Sequence, residues 1–305
     1  MNSLRTAAII GFGSIGRRHA KILKDLNIFK KIIIVSKQNI KTNYKKLSSI
    51  KELKNFQPDY LVICSETHNH LKDLKYLDKN FKDKIILIEK PLFNKFSKFF
   101  PKNNKVFISY NLRFHPVINF IKEFCENKKV VYVYSFCGSY LPNWRRNRNY
   151  KKSYSSSSIK GGGVLLDLSH EFDYISWIFG RLKINSVFHK KISNLKINSK
   201  DILSFTGSSK KSKFIQINLD YISKIPKRFI YVESNNFSIE GDLIKNLIIL
   251  KNNKKQRIFR FSPGSLEKSY VITHKKILSS STDHLCDFQQ GLMLNKLFDQ
   301  INQKK

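Results

Sequence analysis

Alanine is almost missing: Ala7, Ala8 and Ala20 are the only three in 305 residues, while lysine, asparagine, isoleucine and phenylalanine abound. That is how an A/T-rich genome writes proteins, avoiding GCN codons and favouring AAA, AAT, ATT and TTT. Acidic residues are scarce too, 22 against 57 lysines and arginines, for a formal net charge of +35. Such a balance would suit a nucleic acid or another polyanion. The lysines, however, are spread along the whole length without a basic block or a nucleic-acid motif, so codon bias accounts for them and no specific nucleic-acid partner is expected. Cys64, Cys125, Cys137 and Cys286 are scattered with no C-x-x-C spacing. This argues against a zinc site and a disulfide framework, and points to a reducing, cytoplasmic setting with no metal. No apolar run reaches the ~18 residues of a membrane span, so none is expected. Met1 to Arg5 enters a glycine-rich stretch too soon for a signal peptide.

What is present suits a globular protein. Hydrophobic residues make up 41% of the chain and aromatics 13%, which rules against disorder, and the length suits two domains. Short β-branched runs at 7–10, 32–35, 60–64, 85–89 and 106–110 read as buried parallel strands. Helical patterns over Ile15 to Leu26 and His68 to Leu77 lie between them, which predicts a doubly wound sheet over 1–116. From 117 to 305 the texture changes to longer strands at 130–136, 213–222, 228–234 and 243–251. One apolar helix, Val164 to Phe179, interrupts them, and helices near Leu266 to Leu278 and His284 to Ile301 follow. The expectation is an α/β chain: a Rossmann dinucleotide-binding domain, then an α+β domain with an open, mostly antiparallel sheet. The serine-rich stretch 153–163 reads as a mobile loop leading into the apolar helix.

Three stretches carry chemistry. The first is Gly11-Phe12-Gly13-Ser14-Ile15-Gly16, a G-x-G-x-x-G between a strand and a helix. Gly11 would permit the tight turn, Gly13 the approach of a pyrophosphate and Gly16 the helix-strand contact, with the phosphates on the helix N-terminus. An NAD-preferring site ends its second strand with Asp or Glu; Ser36-Lys37 stands there instead, so NADP is the preferred cofactor and NAD a possible one. The second is Glu89-Lys90-Pro91, at the carboxyl end of a strand, where open sheets bind ligands. Proline restrains Lys90, and a lysine near a cationic nicotinamide can have the lowered pKa that acid-base work needs. Most lysines of so basic a chain are simply solvated. The third is "GGGVLLDLSHEFD" (161–173), where Asp167 and His170, three apart, would share one helix face. A carboxylate can orient an imidazole there, and a core histidine satisfied by a neighbour fits the same pattern.

These stretches, with "VICSETHNH" (62–70) and "SYNLRFHPV" (109–117), resemble the glucose-fructose oxidoreductase/inositol dehydrogenase (Gfo/Idh/MocA) family in the order of their motifs. The resemblance implies NAD- or NADP-dependent oxidation or reduction at a carbinol carbon of a sugar or polyol, in a homo-oligomer (dimer or tetramer) joined through the second domain's open sheet. It implies that Lys90 binds substrate oxygen and assists proton transfer, that His170 is the general acid-base, and that Asp167 contacts substrate beside it. It implies that Cys64, Ser65, His70 and Glu89 line the cofactor with Lys90, and that Arg113 binds substrate. The family spacing is Asp-x-x-x-His, one residue longer than here, which leaves an auxiliary role open for Asp173. "SYLPNWRRNRNY" (139–150) is similar to a bacterial branch linked to surface-sugar and sialic-acid-like pathways, with Trp144 for sugar stacking and Arg145 for carboxylate or phosphate pairing.

The leading expectation is thus an NAD(P)-dependent oxidoreductase acting on CH-OH groups of a sugar or sugar derivative. One alternative is a reductase of a non-sugar carbonyl or imine on the same fold. Another is a non-catalytic dinucleotide-binding protein, which would need neither Lys90 nor His170.

Overall fold

The computed structural model describes residues 6–145, 149–253 and 255–304. The chain divides into two compact units, Met1–Tyr110 with Tyr270–Asn295, and Asn111–Ser269 with Lys296–Lys305.

The first unit runs β1 (Thr6–Ile10), α1 (Ser14–Asp25), β2 (Lys31–Val35), β3 (Lys45–Leu47), β4 (Tyr60–Ile63), α2 (His70–Asn80), β5 (Ile85–Ile88) and β6 (Lys105–Ile108). These pair in parallel in the order β6-β5-β4-β1-β2-β3, the doubly wound arrangement expected. The strands are short apolar runs because both faces are covered: Tyr60, Leu61, Val62 and Ile63 of β4 are all fully buried. All three alanines are buried in the first unit, Ala7 and Ala8 on opposite faces of β1 and Ala20 on α1, which packs against that strand. Close packing keeps a small side chain there against the codon bias. The strand β3, Lys-Lys-Leu, carries no apolar run and was not among the expected strands.

The second unit contains α3 (Pro116–Phe124), β7 (Val130–Gly138), α4 (Val164–Asp167), α5 (His170–Phe179), β8 (Lys183–Lys190), β9 (Ile202–Ser208), β10 (Ser212–Asp220), β11 (Lys227–Glu233), β12 (Phe237–Asp242), β13 (Leu247–Asn252) and β14 (Gln256–Arg260). Its sheet has the order β14-β13-β12-β11-β7-β10-β9-β8, antiparallel throughout except for β7 with β10. Period-two alternation sends Val133, Ser135 and Cys137 of β7 to the face on which α5 packs. The opposite face carries Tyr132, Tyr134 and Phe136.

Two expected elements differ. The strand expected over 243–251 begins only at Leu247, as β13; residues 243–246 form the turn, with Asn246 at φ 52°, that joins it to β12, which was not among the expected strands. The single apolar helix breaks at Leu168 (φ −104°, ψ 34°), so Asp167 ends α4 and His170 begins α5. The same-face argument for these two residues therefore does not apply.

Two helices close the described chain, α6 (Ser265–Leu278) and α7 (Phe288–Gln303), with the two-residue β15 (Cys286–Asp287) between them. The strand β15 pairs antiparallel with β6, Cys286 opposite Ile108 and Asp287 opposite Phe107. Asn295 Nδ2 donates to the Phe93 carbonyl at 2.8 Å. These contacts group Tyr270–Asn295 with the first unit, whereas the sequence reading had kept 117–305 together in the second and set the boundary at 116. No helix among the described residues is long and apolar enough to cross a membrane.

Candidate cofactor and substrate residues

The glycine loop is built around two close approaches and one open space. Gly11 has φ +93°, and a Cβ on it would lie 2.6 Å from Cys64 O and Ser65 N, so this turn packs on the segment after β4. A Cβ on Gly16 would strike the Gly11 carbonyl. A Cβ on Gly13 would meet nothing within 4 Å. Gly13 is also the N-cap of α1, which has neither a capping side chain nor an acidic residue in its first turn. The helix thus opens with amide donors that no side chain caps, beside room for an anion at Gly13, Ser14 and Ile15. That is the cradle a pyrophosphate requires, and a nicotinamide dinucleotide fits it.

At the end of β2, Ser36 is buried and Lys37 exposed. The Ser36 N–H donates to Leu47 O at 2.9 Å, and its Oγ accepts from the Gln38 N–H at 3.2 Å. Leu47 belongs to β3, so the strand absent from the sequence reading is what fixes Ser36.

The residues after β4 and β5 brace one another. His70 is buried, with Nε2 3.0 Å from Ser65 O and Nδ1 3.1 Å and 3.2 Å from the carbonyl oxygens of Pro91 and Leu92. Burial lowers its pKa below the usual imidazole value, against the pull of those carbonyls and of Asp73. Ser65 Oγ donates to Asp73 Oδ2 at 2.7 Å. Burial, with the Glu89 charge adding to it, pushes the Cys64 thiol well up, so this cysteine is a packing group and not a thiolate. Of the three side chains expected to line a cofactor, Ser65 and His70 are turned to internal partners and Cys64 is buried. Glu89 is buried as well, and its Oε1 accepts from His19 Nε2 at 2.8 Å. Lys90, which follows it, is half-exposed.

In the second unit, Tyr221 Oη donates to Asp167 Oδ2 at 2.5 Å. The Trp144 indole meets the Tyr221 ring edge-on with centroids 5.2 Å apart, and its Nε1 donates to Ser139 Oγ at 2.7 Å. Two expected substrate residues, Asp167 and Trp144, are thus brought together by a tyrosine that carried no signal beyond its place after β10. Arg145 is exposed, and the remaining arginine-rich part of that stretch, 146–148, lies outside the described residues. His170, at the first turn of α5, is buried. Next to it, Glu171 accepts from Arg228 Nε at 2.7 Å. Arg113 departs from expectation: its guanidinium holds Asp173 through Nη2 at 2.6 Å and Nε at 3.0 Å, buried on both sides. Its charge is paired with that of Asp173 in the core of the second unit.

No family model and no curated protein matches the chain. Solved structures do. UDP-N-acetylglucosamine 3-dehydrogenase GnnA from Acidithiobacillus ferrooxidans is similar at 13% identity and TM-score 0.75, over 97% of this chain and 96% of that one. The WlbA dehydrogenase from Bordetella pertussis, in complex with NADH and UDP-GlcNAcA, is similar at 12% identity and TM-score 0.79, over 99% and 95%. A super-repressor mutant of Gal80p from Saccharomyces cerevisiae is similar at 12% identity and TM-score 0.79, over 98% and 95%. The chain shares the fold of these structures. Their names run from dehydrogenases to a super-repressor mutant, so the activity has to be argued from the residues.

Proposed function

We propose that the chain is an NAD(P)-dependent oxidoreductase that moves a hydride to or from a carbinol or carbonyl carbon of a sugar or sugar derivative. The observation that carries this reading is the glycine loop: Gly13 leaves open space at an uncapped helix N-terminus, which the protein itself has no use for. A nicotinamide dinucleotide, when bound, supplies the hydride acceptor or donor. Gly11 to Gly16 and the first amides of α1 would hold its pyrophosphate. Ser36 and Lys37 would take the adenosine ribose with its 2′-phosphate, since no carboxylate stands there to repel it.

Lys90 and His170 are the proton-handling residues in this reading, because alcohol oxidation releases a proton together with the hydride. Asp167, held by Tyr221, and Trp144 would orient the sugar, with Arg145 pairing a carboxylate or phosphate on it. NADH and UDP-GlcNAcA in the WlbA structure, and UDP-N-acetylglucosamine in the name of GnnA, support a nicotinamide cofactor and a nucleotide-activated sugar. A cytoplasmic role in bacterial surface-glycan synthesis, on a sialic-acid-like route, is the finer form of this proposal. The aromatic face of the second sheet would join copies of the chain: Tyr132 stacks on Phe214 at 5.7 Å, and Phe214 is 39% exposed.

The test is fluorescence titration with NADPH and NADH, followed by turnover assays at 340 nm on UDP-activated amino sugars and uronates, free sugars and nonulosonates. Binding of a reduced cofactor and turnover of one sugar class are expected. Failure to bind either cofactor would sink the proposal.

A further inference from the structure

Four side chains distant in sequence form one buried hydrogen-bonded row in the first unit. Tyr60 Oη lies 2.9 Å from His274 Nδ1, His274 Nε2 lies 2.7 Å from His19 Nδ1, and His19 Nε2 lies 2.8 Å from Glu89 Oε1. They come from β4, α6, α1 and the residue after β5. Tyr60, His19 and His274 are fully buried, and Glu89 is nearly so.

The proton arrangement follows from the ends. A carboxylate only accepts, so His19 Nε2 carries the hydrogen of its bond to Glu89. With both rings neutral, the tyrosine hydroxyl donates to His274 Nδ1 and His274 Nε2–H donates to His19 Nδ1. Each of the three bonds then has one donor and one acceptor, and all point towards Glu89. A row polarised in one direction strengthens its last bond. Apolar side chains of similar size would fill this space without the desolvation cost of four polar groups. The row has a purpose only if the carboxylate at its end does, and the residue next to that carboxylate is Lys90.

We propose that His274 and Tyr60, acting through His19, are positioning residues that hold Glu89 as a fixed negative charge beside Lys90. The proposal rests on the reading of Lys90 as the substrate lysine. The electrostatics agree with it. Burial drives the Glu89 carboxyl up, but the hydrogen bonds from His19 and the Ser109 hydroxyl, with the Lys90 charge, outweigh it, and the net direction is down. Burial drives His274 well below the usual imidazole value, which keeps its ring neutral. The other groups facing the row are the Cys64 thiol and the Tyr270 phenol, both pushed up by burial and by Glu89, and Arg18, whose guanidinium lies 5.1 Å from the Tyr270 ring. The Tyr270 ring lies edge-on to His19 at 5.6 Å and Phe29 stacks on Tyr60 at 5.8 Å, so the row is walled on both flanks. A fixed charge at Glu89 would keep Lys90 protonated over a wider pH range than burial alone allows, and would set where it can give up its proton.

The test reads Glu89 directly. The carboxyl carbons of the full-length chain, labelled at glutamate, are titrated by 13C NMR, and Glu89→Gln assigns the signal. In the native chain Glu89 should titrate below the ordinary 4.5. In His274→Phe its midpoint should rise by about one pH unit, with a smaller rise in Tyr60→Phe, as its last hydrogen bond weakens. If activity is found, the acid limb of kcat/KM should move up with it. Should His274→Phe fail to fold, Tyr60→Phe, which loses one hydroxyl, decides alone. An unmoved or lowered midpoint in folded variants that still bind NADPH would overturn the proposal, as would a uniform fall in kcat with no shift of the pH profile. Absence of any turnover in the native chain would remove the hydride-transfer reading and leave the titration to decide on the row.

Discussion

Arg113 and Asp173 form a forked ion pair with side chains only 3% and 1% exposed. Removing one partner strands a charge in the core. Asp173→Ala should therefore destabilise the second unit by about 3–5 kcal/mol, whereas Arg113→Met combined with Asp173→Leu should recover most of that loss. Urea unfolding of the native chain and these two variants checks it. A double variant no more stable than Asp173→Ala would contradict the account.

The two glycines that flank the start of α1 should behave in opposite ways. Gly13→Ala meets no neighbour, so the melting temperature should stay near native while NADPH binding weakens. Gly16→Ala collides with the Gly11 carbonyl and should cost about 1–3 kcal/mol of stability. Thermal melts and cofactor titrations on the same samples separate the two effects.

Cofactor choice should follow the residues after β2. One charge-assisted hydrogen bond is worth about 1.5–3 kcal/mol, which gives roughly 10- to 100-fold tighter binding of NADPH than NADH. Ser36→Asp should reverse the order. A native preference for NADH would refute this assignment.

Lys90→Ala and His170→Ala should each lower kcat by about 10²–10⁴-fold, the usual contribution of general acid-base catalysis. His170→Ala should still bind NADPH, since His170 has no part in the glycine loop. Near-normal turnover in either variant would leave the fold in place and remove the proposed chemistry.

Acid should loosen the second unit through His115. Its Nδ1 accepts from the Val117 N–H at 3.3 Å and caps α3, while burial and the Arg228 charge lower its pKa from 6.5 to about 4. A depressed histidine pKa means the unfolded chain binds the proton first. Stability should thus be steady above pH 6.5 and fall as the pH drops from there towards about 4. His115→Asn should flatten that part of the stability-pH curve, measured by urea unfolding at several pH values.

Sequence pattern was a good guide where burial on both faces demands a continuous apolar run, as in β1, β2, β4, β5 and β6. It missed β3 and β14, Lys-Lys-Leu and Gln-Arg-Ile-Phe-Arg, because their place in the sheet comes from a neighbour and not from hydrophobicity. It also missed β8, β9 and β12, began β13 four residues early because Leu243 and Ile244 fill the preceding turn with apolar side chains, and ran one helix through Leu168 for the same reason. At the site, the loop glycines were legible because each meets a steric demand within a few residues. The partners of Glu89, Asp167 and Arg113 were not. His19 and His274 are 255 positions apart, and nothing local to either announces the other.

The return of Tyr270–Asn295 to the first unit bears on how the chain is made. Translation delivers the parallel strands early, but β15 and His274, which finish that unit, emerge only after the whole eight-stranded sheet has been synthesised. Until then β6 has no partner on its outer edge, and Glu89 has His19 without the His274 link to Tyr60. The unit that starts first on the ribosome thus waits for a segment made after most of the second unit, and in the interval its open strand edge is a place for a chaperone to cover.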